Sequence, residues 1–164
     1  MQVIDSFRDE HFFLSNFSPS PIVVSMNLAL DGNPSEHQFT LATGEHCFQA
    51  MKLSASTMDD AEKHRWMKAM EGAATPGRSK YLGRSIRIDI HKWNAIAYRC
   101  MERTQELKYT QNIDLQEKLL ATGDAKLIEG TSWGDKLWGV DEKGEGKNQL
   151  GIILMALRSK LQTA

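Results

Sequence analysis

The sequence predicts an α+β fold: a predominantly helical single domain, residues 1–164, with a small β-sheet near the N-terminus. Three observations carry that prediction. Residues 22–30, IVVSMNLAL, form one β-branched and apolar run followed by the turn signal DGNP. Beyond residue 57 the apolar positions recur mainly at helical spacing, most extensively over 90–107, where Trp93, Ala97, Cys100 and Met101 share a face. No low-complexity linker and no internal repeat divides the chain.

The elements follow in order. The run at 22–30 is the best strand, and Phe39 to Leu41 is a short returning strand that completes a hairpin. Thr43 is placed to cap a helix over 44–52, GEHCFQAMK. A second helix is expected over 57–73, with Asp59 and Asp60 in its first turn, where carboxylates oppose the positive end of the helix dipole. Thr75-Pro76 opens a short helix, since proline suits the first turn. Helices over 90–107 and 113–121 follow, the latter ended by Thr122-Gly123-Asp124. AKLIE at 125–129 is short and apolar enough for a strand. The glycine-rich, charged stretch 134–147 is a loop, and LGIILMALRSKL at 150–161 closes the fold as a buried helix.

Bulk composition excludes several classes. At 164 residues, 41% hydrophobic and 25% charged, the chain has material for one sizeable core. A formal net charge of −1 gives no footprint for tight, sequence-independent binding to nucleic acid or anionic membrane, although a nucleotide or one modified base stays open as substrate. Cys47 and Cys100 lack CxxC spacing, so reduced thiols and a cytoplasmic location are expected. There is no signal-peptide pattern and no apolar run of membrane-spanning length.

The chemistry centres on GEHCFQAMK. At about 100° per residue, Gln49 lies one helical turn from Glu45 and Lys52 two turns, on a single stripe beside the face of Phe48 and Met51. A polar stripe adjoining an apolar one suits a helix that lines a cleft; helix-supporting surface pairs are the plain alternative. Glu45 is a candidate general acid or base, and Lys52 a cation or an amine nucleophile. GVDEKGEGKN, residues 139–148, fails as a phosphate loop, because Asp141 stands where glycine is needed and Asn148 where Ser or Thr is needed. No histidine spacing supports a metal site. Trp66 and Trp93 fit a core. Trp133 and Trp138, flanking Asp135 in TSWGDKLWG, either stack on a base or sugar or plug the core from a loop.

Taken together, FLSNFSP, GEHCFQAMK, TPGRSKYLGR, KWNAIAYRCM, LLATGDAKLIEG and GDKLWGVDEKGEGKNQLGIILMALR resemble the NADAR family, in the same order and over about residues 12–158. The resemblance implies a compact, largely helical domain that cleaves N-glycosidic bonds to ribose, without cofactor or metal. It places the family's glutamate on Glu45 and its lysine on Lys52, with Lys80 as the less favoured amine. Asn16 and Phe17 in SNF, Gln49, Asp135, Trp138, Gly139 and Asn148 fall where the family builds its pocket. Arg84, closing LGR, is a candidate phosphate or pyrophosphate ligand. Cys47 and Val140 depart from the family pattern and bear on the choice of base. The implied substrate is a small nucleotide or ADP-ribosylated guanine, from which ADP-ribose is removed. YbiA-like members instead release ribose 5-phosphate from early riboflavin-biosynthesis intermediates. A third reading is a module that binds ADP-ribose or NAD without cleaving it. No membrane partner is implied, and oligomeric state is not legible.

Overall fold

The computed structural model describes residues 1–164. The chain forms two compact units: Met1–Ser18 with Met101–Ala164, and Pro19–Cys100.

The Pro19–Cys100 unit begins with two strands, β2 (Pro19–Leu28) and β3 (Ser35–Thr43), counted after a short β1 (Val3–Ile4) in the other unit. They pair antiparallel, from Leu28 opposite Ser35 to Pro19 opposite Thr43, with an irregularity between Pro19 and Ile22. The hairpin is larger than its local sequence suggests. Once β2 exists, its backbone groups need partners along its whole length, so residues 35–38 and 42–43 are recruited whatever their own propensity. Ile22, Leu28, Phe39 and Leu41 point inward and are buried.

Three helices belong to this unit. Helix α1 (Gly44–Ala50) starts where Thr43 accepts from the His46 amide. Its histidine ring is fixed at both nitrogens. Nε2 lies 3.0 Å from the Ala73 carbonyl and so must carry the proton, leaving Nδ1 to accept from the Thr43 hydroxyl at 2.8 Å. Helix α2 (Asp60–Glu71) has a capping box between Asp59 and Glu62. Two of its carboxylates reach the hairpin: Asp60 accepts from the Ala29 amide at 2.8 Å and Glu71 from the Thr40 amide at 2.7 Å. Helix α3 (Pro76–Ser85) is capped by Thr75 with proline in its first turn, and it packs on α1.

Helix α4 (Ile90–Gln111) continues past residue 107, and the boundary between the units falls within it. In the other unit, α5 (Ile113–Ala121), β4 (Lys126–Leu127) and α6 (Gln149–Gln162) follow. β1 pairs parallel with β4, Val3 opposite Lys126, a non-local contact that no local pattern announces. A 3₁₀ helix over Asp9–Leu14, also not foreseen, leads into the Ser15–Ser18 segment. Helix α6 lies so close to β4 that a Cβ on Gly151 would sit 2.3 Å from the Leu127 carbonyl oxygen. Buried Arg158 on α6 donates to Thr122 Oγ1 at 2.7 Å and to the Ala125 carbonyl at 2.9 Å. No helix is long and apolar enough to cross a membrane.

The stretch 134–147 is irregular, as expected, but strongly hydrogen-bonded. Val140 donates to the Glu129 carbonyl and Thr131 to the Val140 carbonyl, both at 2.8 Å, while Lys136 pairs with Asp141 at 3.0 Å and Glu145 at 2.6 Å.

Candidate active site

The Pro19–Cys100 unit carries Glu45, Gln49, Lys52 and Arg84. Glu45 and Gln49 are both buried on α1, and the Gln49 Nε2 donates to Glu45 Oε1 at 2.7 Å. The amide therefore aims the carboxylate rather than facing solvent. Its own Oε1 has no hydrogen-bond partner and points at Gly83 of α3. A Cβ at position 83 would lie 1.9 Å from that oxygen, so only glycine leaves room for this amide orientation.

Lys52 is not on the α-helix. α1 ends at Ala50, and Met51–Ala55 tightens into a 3₁₀ helix, which advances about 120° per residue instead of about 100°. The uniform helical stripe is thus corrected at its last member. Lys52 is nonetheless turned inward: its Nζ donates to the Gly83 carbonyl at 3.2 Å and lies 5.9 Å from the Trp93 ring centroid. Trp93 in turn packs on Phe48, with ring centroids 5.4 Å apart. Burial lowers the Lys52 pKa below its ordinary 10.5. Glu45 opposes that shift, and Arg84 and Lys80 reinforce it. Arg84 is exposed and Lys80 half-buried. Burial and two further cations thus disfavour the protonated form of this amine, against the pull of the carboxylate.

The other unit carries Asn16, Phe17, Asp135, Trp138, Gly139 and Asn148. Asn16 is buried and accepts from Gln105 Nε2 at 2.7 Å, whereas its neighbour Phe17 is 39% exposed. Asp135 Oδ1 accepts from the Leu137 and Trp138 amides, each at 3.0 Å, which folds the turn that presents half-buried Trp138. Trp133 is 62% exposed and therefore does not plug the core. Gly139 is buried where a Cβ would meet the Glu129 carbonyl oxygen at 2.3 Å.

Asn148 has a left-handed backbone, φ 50° and ψ 39°, at the start of α6. Its Oδ1 accepts from the Glu129 amide at 3.0 Å and its Nδ2 donates to the Leu127 carbonyl at 2.9 Å. The carboxamide thus bridges the chain beyond β4, and Gly139 and Asn148 have packing reasons for their identities.

Sequence reasoning did not assign Gly83 or Trp93 to this neighbourhood. The glycine of YLGR lay in view but gave no sign of what it approaches. No group of three or more His, Cys, Asp or Glu side chains is arranged to hold a metal.

Residues 5–162 match the NADAR domain. The chain is 35% identical over 157 residues to N-glycosidase YbiA of Shigella flexneri, covering 95% of this chain and 85% of that protein. It is 34% identical over 155 residues to riboflavin biosynthesis protein VVA0006 of Vibrio vulnificus, covering 94% of this chain and 36% of that longer protein. The NMR structure of Escherichia coli YbiA superposes with a TM-score of 0.73 at 31% identity, over 99% of this chain and 88% of that one.

Proposed function

The chain belongs to the NADAR domain family, and from that premise we propose that it is an N-glycosidase that hydrolyses an N-ribosyl bond, with Lys52 as amine nucleophile and Glu45 as general acid and base. The observation that carries the reading is the setting of Lys52. It is an inward-turned amine with a lowered pKa, within electrostatic reach of a buried carboxylate that Gln49 orients.

The steps balance without a cofactor. An N-riboside whose nitrogen keeps a hydrogen opens its ribose ring, leaving a C1=N bond to the base. Neutral Lys52 Nζ adds to C1. A proton passes by way of Glu45 to the departing nitrogen, the bond from C1 to the base breaks, and a Schiff base joins C1 to Lys52. Water, deprotonated by Glu45, then adds to C1, and the lysine leaves as free amine. The products are the free base and a reducing ribose. The alternative, in which Glu45 activates water directly on a closed ring, needs no adduct with Lys52. The exposed guanidinium of Arg84, in the same unit as Lys52 and Glu45, suits a phosphate on the sugar.

Two substrates share this chemistry. Early riboflavin-biosynthesis intermediates carrying ribose 5-phosphate are favoured by the names of the relatives. ADP-ribosylated guanine is the alternative open to the same steps. The test is a mass-spectrometric turnover assay on both, with Glu45→Gln as control and borohydride added during turnover. Release of ribose 5-phosphate or of ADP-ribose, lowered about 100- to 10,000-fold in the control, identifies substrate and acid/base group. A reduced sugar adduct on Lys52 supports the Schiff-base route. Turnover that never traps refutes that route, and ADP-ribose binding without cleavage of either substrate refutes the enzyme reading in favour of a binding module.

A further inference from the structure

Helix α1 carries Glu45 yet is only seven residues long, Gly44–Ala50, and all seven are buried. A helix of that length is marginal on its own, so packing must set how it is turned about its axis. The turn matters, because a carboxylate about 6 Å from a helix axis moves about 1 Å for about 10° of rotation. Cys47, Phe48 and Ala50 bury apolar surface, which holds a helix down without directing it. The Gln49–Glu45 bond lies inside the helix and cannot aim it against anything else. His46 is placed to do so. Its ring is 1% exposed and bonded at both nitrogens, to the Thr43 hydroxyl at 2.8 Å and to the Ala73 carbonyl at 3.0 Å. Thr43 is the last residue of β3 and also caps α1. Ala73 lies between α2 and α3, just before Thr75, the cap of α3. One imidazole therefore ties the helix of the carboxylate to the approach to α3. The Gly83 position of α3 in turn receives both the Gln49 amide and the Lys52 ammonium.

We propose that His46 is a positioning residue, whose Nε2–H bond to the Ala73 carbonyl fixes the rotation of α1 and so the placement of the Glu45 carboxylate relative to Lys52. The assignment rests on the reading of Glu45 as general acid and base. The two bonds of the ring do different work. The Thr43 bond joins residues three apart in one stretch of chain, so it follows α1 wherever the helix turns. The Ala73 bond joins residues 27 apart and refers α1 to another element. Both ring nitrogens are occupied, which leaves the imidazole none with which to exchange a proton with substrate. Glu45 pulls the Lys52 pKa upward against burial, so the amine itself reports where the carboxylate stands.

His46→Gln and His46→Asn separate the two bonds. A glutamine amide nitrogen reaches the place of Nε2 and still donates to Ala73, whereas an asparagine oxygen stands near Nδ1 and accepts only from Thr43. Each variant gives up one buried bond, so a merely structural histidine would show the same kcat in both once folded. Below the unfolding transition, on the N-riboside that the wild-type protein turns over, His46→Asn should lower kcat about 100-fold with KM within about threefold. His46→Gln should keep kcat within about threefold. A second readout needs no substrate: an NMR titration of the lysine Nζ signals, with Lys52 assigned through Lys52→Arg. The Lys52 pKa should fall in His46→Asn, where Glu45 no longer pulls it up, and hold in His46→Gln. If His46→Asn does not fold, His46→Met takes its place, since a thioether fills the space but cannot donate to Ala73. Equal kcat in the two folded variants overturns the proposal, as does an unmoved Lys52 titration in the variant that cannot reach Ala73. A wild-type protein that cleaves neither substrate removes the enzyme reading instead, and the Lys52 titration then decides alone whether His46 places Glu45.

Discussion

Gly83→Ala should damage this protein, although the same change in most helix interiors is favourable. Alanine gains about 1 kcal/mol over glycine in helix propensity. At position 83 the new Cβ would lie 1.9 Å from Gln49 Oε1, 2.7 Å from its Cδ and 3.2 Å from its Cβ. A buried carboxamide must therefore rotate away, and its 2.7 Å hydrogen bond to Glu45 goes with it. A hydrogen bond to a charged group is worth about 1.5–3 kcal/mol. The loss exceeds the gain, leaving a net destabilisation of about 0.5–2 kcal/mol, or a few degrees in Tm for a chain of this size. The functional effect should be larger than the stability effect. Glu45 loses the donor that aims it, and a misplacement of about 1 Å can cost about 100-fold in rate. Urea titration measures the first effect and turnover of the N-riboside the second. Gly77→Ala in the same helix is the control: its nearest neighbour would be Thr75 Oγ1 at 3.8 Å, so stability and turnover should hold. Adding Gln49→Ala to Gly83→Ala removes the clash but not the loss of the hydrogen bond to Glu45, so turnover should stay low. A Gly83→Ala protein more stable than wild type with full turnover would refute the Gln49–Glu45 coupling.

Other consequences concern the two lowered lysines and the Asn148 bridge. If Lys52 attacks as free amine, kcat/KM should rise with pH and level off below 10.5, the ordinary lysine value. Arg84→Gln removes one of the cations that lower that pKa, so the inflection should move up, and a downward move in the pH–rate profile would contradict the assignment. For Lys108 the sign follows from linkage. Its folded value near 7 lies below the unfolded 10.5, so between those limits the unfolded chain binds more protons and stability rises with pH. From about pH 6.5 to 9 this one group should contribute about 2 kcal/mol, seen as the difference in denaturation free energy between wild type and Lys108→Met over that range. Asn148→Gly keeps the left-handed backbone at no steric cost but deletes both side-chain hydrogen bonds. A loss of about 1–3 kcal/mol is expected in a denaturant melt.

How much of this was legible depends on whether the cause was local. Helix starts at Thr43 and Thr75 were readable because a cap and its amide are three residues apart, whereas the helix expected from residue 57 begins only after its cap, Asp59. The Glu45–Gln49 pair was readable for the same reason, since one turn of helix brings the two together before any tertiary contact forms. Lys52 was placed on the right side of the chain by a spacing that fails at its last step, because nothing local marks the tightening after Ala50. The β1–β4 pairing and the Asp9–Leu14 helix were not visible; the first joins residues far apart in sequence, and the second lacks a side-chain cap.

By itself, then, the sequence determined the order of the longer elements, the hairpin, the single carboxylate–amide–amine motif and, through six ordered blocks, the family. Each rests on neighbours within a turn or two, or on the order of residues along the chain. Only the tertiary structure decided that Gly83 is the space into which Gln49 fits, that Trp93 walls Lys52, that Asn148 bridges backbone instead of facing outward, and that Lys108, an ordinary surface residue by type, is fully buried with three acceptors. Those facts depend on which distant segments come to lie against a side chain, and burial and unmatched hydrogen-bonding groups exist only once they do.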